Sequence, residues 1–237
     1  MNHATAAERR SFLGALLSIG ALLWPPADSA LAAEHDGEGQ SLEVPPTEDL
    51  MREHGVLDRV LLIYDEILWR RLLQGQEFPP EVLAKAAGIV RRFIEDYHEK
   101  LEEKHLFPRF ERAGKLVGLV DVLRTQHAAG RRLTDDITQR ATAAAIKDPT
   151  ERVRLREALR LFVRMYRPHA AREDTVLFPA FRSLVSPHEF AALGEEFEDR
   201  EQKLFGENGF EKIASQVAEL EKELGIHDLA TFTPTVS

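Results

Sequence analysis

Beyond residue 47, apolar positions recur at three- and four-residue spacing with polar side chains between them, and no Val/Ile/Thr alternation interrupts the rhythm. That period belongs to amphipathic helices rather than to strands. A first helix is predicted from about Thr47 to Gln74, with Leu50, Leu57, Val60, Leu61, Tyr64, Ile67 and Leu68 on one stripe. Gly75 and Phe78-Pro79-Pro80 mark a turn, and a second helix runs to about Arg112, ended near Gly114. The third covers Leu116 to about Ala145, and Asp148-Pro149-Thr150 opens a fourth that reaches Leu184. Connections this short make neighbours antiparallel. Ser186-Pro187-His188-Glu189 supplies a serine cap, a proline at the first helical position and a glutamate at the third, a start signal for a helix ending near Gly206. Gly209 separates it from a last helix, Phe210 to Leu224, stopped by Gly225. The expected fold class is all-α: an antiparallel four-helix bundle over residues 47–184, then a helical extension (185–226) and a tail (227–237).

Within this frame one segment occurs twice. His98-Glu-Lys-Leu-Glu102-Glu103-Lys-His-Leu106-Phe107-Pro108-Arg-Phe110 is matched by His169-Ala-Ala-Arg-Glu173-Asp174-Thr-Val-Leu177-Phe178-Pro179-Ala-Phe181, at an offset of 71 residues. A single histidine precedes each on the helix before, His54 and His127, offset by 73. The pattern H … HxxxE therefore appears once per helical hairpin, the mark of an internal duplication. Residues four apart stack on one helix face, so His98 with Glu102, and His169 with Glu173, can each address one metal ion. Packed about a pseudo-twofold axis, the hairpins would converge four imidazoles and two carboxylates on the core, a standard place for a two-metal site. One HxxxE alone is usually a solvated surface pair; its recurrence inside a repeated Leu-Phe-Pro frame, with a matched upstream histidine, argues otherwise.

Composition narrows the chemistry. There is no cysteine, which removes disulfides, thiolate metal sites, iron–sulfur clusters and cysteine nucleophiles. Any metal must be held by His, Asp or Glu. A formal charge of −9 gives no electrostatic footprint for nucleic acid. Imidazole with carboxylate suits iron, manganese or zinc, and shared carboxylates favour a paired centre. A ferritin-like carboxylate centre needs Glu-x-x-His on two helices. Glu95-x-x-His98 fits, but Tyr166 stands where the second glutamate should be.

The N-terminus reads as an export signal over residues 1–32. Arg9-Arg10-Ser11-Phe12-Leu13 opens an apolar run, Phe12 to Trp24, too short to span a membrane comfortably. Pro25-Pro26 breaks it, and Ala30-Leu31-Ala32 supplies small residues before a cleavage site. The paired arginines resemble a twin-arginine signal, although Glu8 and Gly14 depart from its usual flanks. A plain secretory signal or an uncleaved amphipathic anchor is the alternative. Residues 33–46, polar with Gly37, Gly39 and Pro45-Pro46, read as a linker. The expected location is periplasmic or secreted, in a bacterium, with no membrane span after processing.

The constellation resembles the hemerythrin-like, or HHE cation-binding, domain family, firmly over about Thr47 to Leu184 and closest from Tyr166 to Phe181. The resemblance implies a four-helix bundle holding two non-haem iron ions, oxo- or hydroxo-bridged, with manganese or zinc as lesser alternatives. It implies that His54 and His98 bind one iron, that His127 and His169 bind the other, and that Glu102 and Glu173 bridge both. Oxygen-carrying members use a further histidine one turn before the third-helix ligand, where this chain has Leu123, and their last carboxylate is an Asp five residues after the histidine, whereas Glu173 here stands four after, although Asp174 sits at the fifth position. Both departures move the expectation away from oxygen transport. It becomes a protein binding a small ligand, dioxygen or nitric oxide, for sensing, storage or iron handling. A di-iron oxidase, or an enzyme removing peroxide or nitric oxide, is the alternative. No protein partner is read from the sequence.

Around these six residues, Glu103 and Asp174 are placed either behind the ligating histidines or, for Glu103 equally, on the surface. Glu99 is read as solvated and His105 as structural. Phe107, Phe110, Phe178 and Phe181 are expected to seal the core end, and Tyr166 to hydrogen-bond near the centre. His3, His35, His188 and His227 follow no pattern.

Overall fold

The computed structural model describes residues 44–235, so the predicted export signal and all but the end of the linker lie outside it. Helices follow one another without a strand among the described residues. Helix α1 spans Pro46–Glu66 and continues through a wider π-helical turn, Ile67–Leu72. Helix α2 is continuous from Pro80–Ile89 to Phe107–Ala113 and contains two π-helical stretches, Val90–His98 and Glu102–Leu106. Helix α3 is Val117–Arg140. Helix α4 begins as Pro149–Arg172, widens over Glu173–Leu177 and ends as Phe178–Phe181. Helices α5 (Pro187–Phe205) and α6 (Gly209–Leu224) follow.

The ends have local causes. Pro46 and Pro80 sit at first helical positions, where a missing N–H costs nothing. Asp148 caps α4 by accepting from the amides of Thr150 and Glu151, and Ser186 caps α5 by accepting from that of Glu189. Gly114 and Gly225 close α2 and α6 at φ values of 63° and 75°, the left-handed conformation that favours glycine.

Two features differ from the sequence expectation. Helix α3 ends at Arg140 rather than Ala145, because Thr142 caps a separate short turn, Ala143–Lys147, through the amide of Ala145. The alanine-rich composition there reads as helix and hides the break. The second feature is the pair of π-helical turns before Pro108 and Pro179. A helical proline lacks an N–H and its ring crowds the carbonyl four residues back; widening the helix relieves both. These turns begin at Glu102 and Glu173, so the repeated Leu-Phe-Pro motif shapes the backbone that carries the repeated glutamates.

Helix α1 packs on α2 and α4, and α3 packs on α2 and α4. Helix α6 lies against α1 and α2, and α5 against α1. The largest fully buried side chains are aromatic, among them Tyr64, Phe93, Tyr97, Phe162 and Tyr166. Among the described residues no helix is long and apolar enough to cross a membrane.

Candidate metal centre

The four long helices bring His54, His98, Glu102, His127, His169 and Glu173 into one buried cluster, none more than 4% exposed. The rings of His54 and His98 lie 4.6 Å apart, and those of His127 and His169 5.0 Å apart. Each carboxylate reaches one histidine from each hairpin. Glu102 Oε2 is 3.4 Å from His127 Nε2 and 3.8 Å from His98 Nε2; Glu173 Oε2 is 3.0 Å from His169 Nε2 and 3.4 Å from His54 Nε2. Potential ligand atoms of His54, His98 and Glu102 lie within 4.8 Å of one another, as do those of His127, His169 and Glu173.

Every imidazole is aimed by a hydrogen bond on its far side. His54 Nδ1 donates to Asp174 (2.7 Å), His98 Nδ1 to Glu53 (2.6 Å), His127 Nδ1 to Glu103 (3.1 Å) and His169 Nδ1 to Gln126 (2.9 Å). With Nδ1 engaged outward, each Nε2 faces the cluster. This arrangement fixes tautomer and ring orientation for a metal ligand. Glu103 and Asp174 are related by the same offset of 71 as the repeat, and each holds the upstream histidine of the other hairpin.

Glu53 and Gln126 were not legible as site residues. Each directly precedes an upstream histidine, so they share the offset of 73. That matched position is the signal that could have found them. Replacing Gln126 with Leu removes the acceptor that orients His169 at nearly constant volume, and is expected to weaken metal affinity by about 10- to 100-fold. Competitive chelator titration checks this; an unchanged affinity would separate Gln126 from the centre.

Glu99 corrects the expectation of a solvated side chain. It is 1% exposed, accepts from the Tyr166 hydroxyl (2.7 Å) and pairs with Arg131 (2.6 Å). Its burial is compensated by those two neighbours from α4 and α3, which a reading along α2 alone cannot supply. Tyr166 itself depends on Gly130, since a Cβ there would lie 2.0 Å from the phenol oxygen. His105 packs on Phe197 and approaches Glu196, away from the cluster. Phe178 stacks on His54 and Phe107 on His127, both at 5.5 Å, while Phe110 and Phe181 meet at 6.0 Å. Leu123 is buried in the apolar core.

The electrostatics call for a cation. Both oxygens of Glu102 and of Glu173, with Nε2 of His98 and of His127, are buried without a hydrogen-bond partner among the described residues. Burial, reinforced by Glu173, drives the Glu102 carboxyl well above the usual range. Burial acts the same way on Glu173, but His169 and His54 outweigh it and hold that carboxyl below the usual range. Burial depresses His98, with repulsion from His54 adding to it, and takes His127 down to about 4 against the pull of Glu103. His54 is raised instead, to about 9, because Asp174 and Glu173 overcome its burial. Unpaired buried carboxylates cost several kcal/mol each, whereas ions held by imidazole and carboxylate satisfy all of these atoms together. The residues present therefore fit a metal.

A buried histidine–carboxylate site within an all-helical bundle defines the class as a helical metal-binding protein. The model of the hemerythrin HHE cation-binding domain matches residues 46–181 and, in a second overlapping match, 120–228; the chain belongs to this family. The overlap falls on α3 and α4, the second copy of the duplicated hairpin. Uncharacterized proteins of Mycobacterium bovis and of two Mycobacterium tuberculosis strains are 52% identical over 195 residues, covering 81% of this chain and 76% of theirs. No solved structure matches the chain.

Proposed function

We propose that residues 47–184 form an antiparallel, pseudo-twofold four-helix bundle around two iron ions, and that the protein binds dioxygen or nitric oxide there for sensing, storage or iron handling. His54 and His98 would hold one ion, His127 and His169 the other, with Glu102 and Glu173 between them. The observation carrying this reading is the matched orientation of all four imidazoles, each with Nδ1 bound outward and Nε2 turned towards two carboxylates that lack other partners. When bound, the iron pair would supply redox-active positions for a diatomic ligand, since this ligand set leaves each ion below six-coordination. The chain does the rest. Phe107 and Phe178 cover the upstream histidines and keep bulk water from them, and Leu123 withholds a further imidazole from the His127 side.

The extension 185–226 supports α1 from outside, and residues 1–32 would export the chain to the periplasm or beyond. A second reading, an oxidase or an enzyme removing peroxide or nitric oxide, is favoured by one feature. Glu99, whose carboxyl burial raises to about 8, accepts from the Tyr166 hydroxyl and lies 3.9 Å from His127 Nδ1, a group able to hold a proton beside the centre.

The test is anaerobic loading with ferrous iron, followed by optical spectra under argon, oxygen and nitric oxide. Bands that change reversibly with the gas support the binding reading. Sustained gas consumption with a reductant moves the function to the enzyme, and failure to take up iron overturns both.

A further inference from the structure

A pocket of about 440 Å³ opens between the start of α1, helix α5 and the α5–α6 turn. Asp49, Glu198, Glu201, Glu207 and Glu211 line it, and Arg52 is the one cation among the described lining residues. Arg52 is already engaged, at 3.4 Å from Asp49, 3.5 Å from Glu211 and over the face of Phe210. Asp49 and Glu53 are one turn apart on α1, and each offers a carboxylate oxygen within 4.8 Å of one from Glu201. Behind the pocket wall Glu53 is completely buried. Its Oε2 accepts from His98 Nδ1 at 2.6 Å, while its Oε1 has no hydrogen-bond partner among the described residues.

We propose that Asp49, Glu53 and Glu201 form a second cation site, built of oxygen ligands alone, through which a divalent ion enters the histidine centre. Hard divalent cations take such ligands, and a cleft lined by one sign of charge concentrates the opposite one. The second Glu53 oxygen is a buried ligand atom without a hydrogen-bond partner among the described residues, in a carboxylate that the Tyr97 hydroxyl also approaches. Its partner oxygen touches a proposed ligand of the iron pair, so one carboxylate links the mouth to the centre. The cation site stands on its own geometry; only its role in entry rests on the function proposed above.

Manganese(II) is the probe, titrated into the purified metal-free chain and followed by electron paramagnetic resonance. The ion is expected to bind in the His98→Ala/His169→Ala variant and to be lost when Asp49→Asn and Glu201→Gln are added. Absence of binding in the histidine variant, with its helical circular dichroism intact, would overturn the site, as would binding that survives the acidic replacements. If the histidine variant fails to fold, the same comparison is made in the unaltered chain with its histidine centre first filled with zinc. Entry is read separately. Asp49→Asn/Glu201→Gln is expected to slow ferrous uptake by roughly tenfold or more at unchanged final iron content, and an unchanged rate removes the entry role. A chain that binds manganese in the pocket but never loads iron at the histidines would refute the proposed function and leave this site standing.

Discussion

Replacing His98 and His169 with Ala together is expected to abolish iron binding by the purified chain while its helical circular dichroism persists. The change takes one imidazole from each half of the cluster, at the positions one turn before the two carboxylates on their own helices. Partners that merely orient a ligand are worth about 10- to 100-fold in affinity, and a lost ligand costs more. It also leaves Glu53 buried without the His98 N–H it accepts from and frees Gln126 from His169. The variant should therefore be less stable as well as empty. Single replacements should weaken loading without removing it, because each leaves three imidazoles in the cluster and one of the two histidine pairs whole. Elemental analysis after anaerobic loading decides the matter: iron content equal to that of the unaltered chain would sink the ligand assignment.

The clustering of these six residues was legible because a helix converts spacing into direction. HxxxE places two donors on one face, and a duplication at constant offset repeats that face twice. What lay one residue away was not legible. Successive residues on a helix point about 100° apart, so Glu53, beside His54, serves His98 on the neighbouring helix instead. Knowing which helix lies alongside is the missing information, and periodicity along one helix does not contain it. The same gap explains Glu99. A carboxylate next to a ligand reads as solvent-facing until Arg131 and Tyr166 are seen to close over it. The break after Arg140 was hidden differently, since Thr142 caps a turn within a composition that favours helix on both sides.

The metal-free protein is expected to lose stability as pH rises from 6.5 to 8. Burial raises the Glu53 and Glu99 carboxyls to about 8 from an ordinary value of 4.5, so across this window the folded state keeps protons the unfolded chain has released. His54, raised to about 9 from 6.5 because Asp174 and Glu173 outweigh its burial, acts in the same sense. For each such group stability falls with pH until the folded value is passed. His98 and His127 are depressed, so the protons that the unfolded chain still holds on them at 6.5 oppose this slope at first and are gone by about pH 7.5. One group contributes at most about 1.4 kcal/mol per pH unit, and coupling among these neighbours makes the total less than additive. Metal reverses the dependence. Ligation needs a neutral His54 and ionised Glu102 and Glu173, so binding releases protons and tightens as pH rises. The stability gap between loaded and metal-free protein should therefore widen from pH 6.5 to 8, as read from urea midpoints with and without chelator. A metal-free midpoint that stays level or climbs across that window would mean that protons do not stand in for the missing cations in this core.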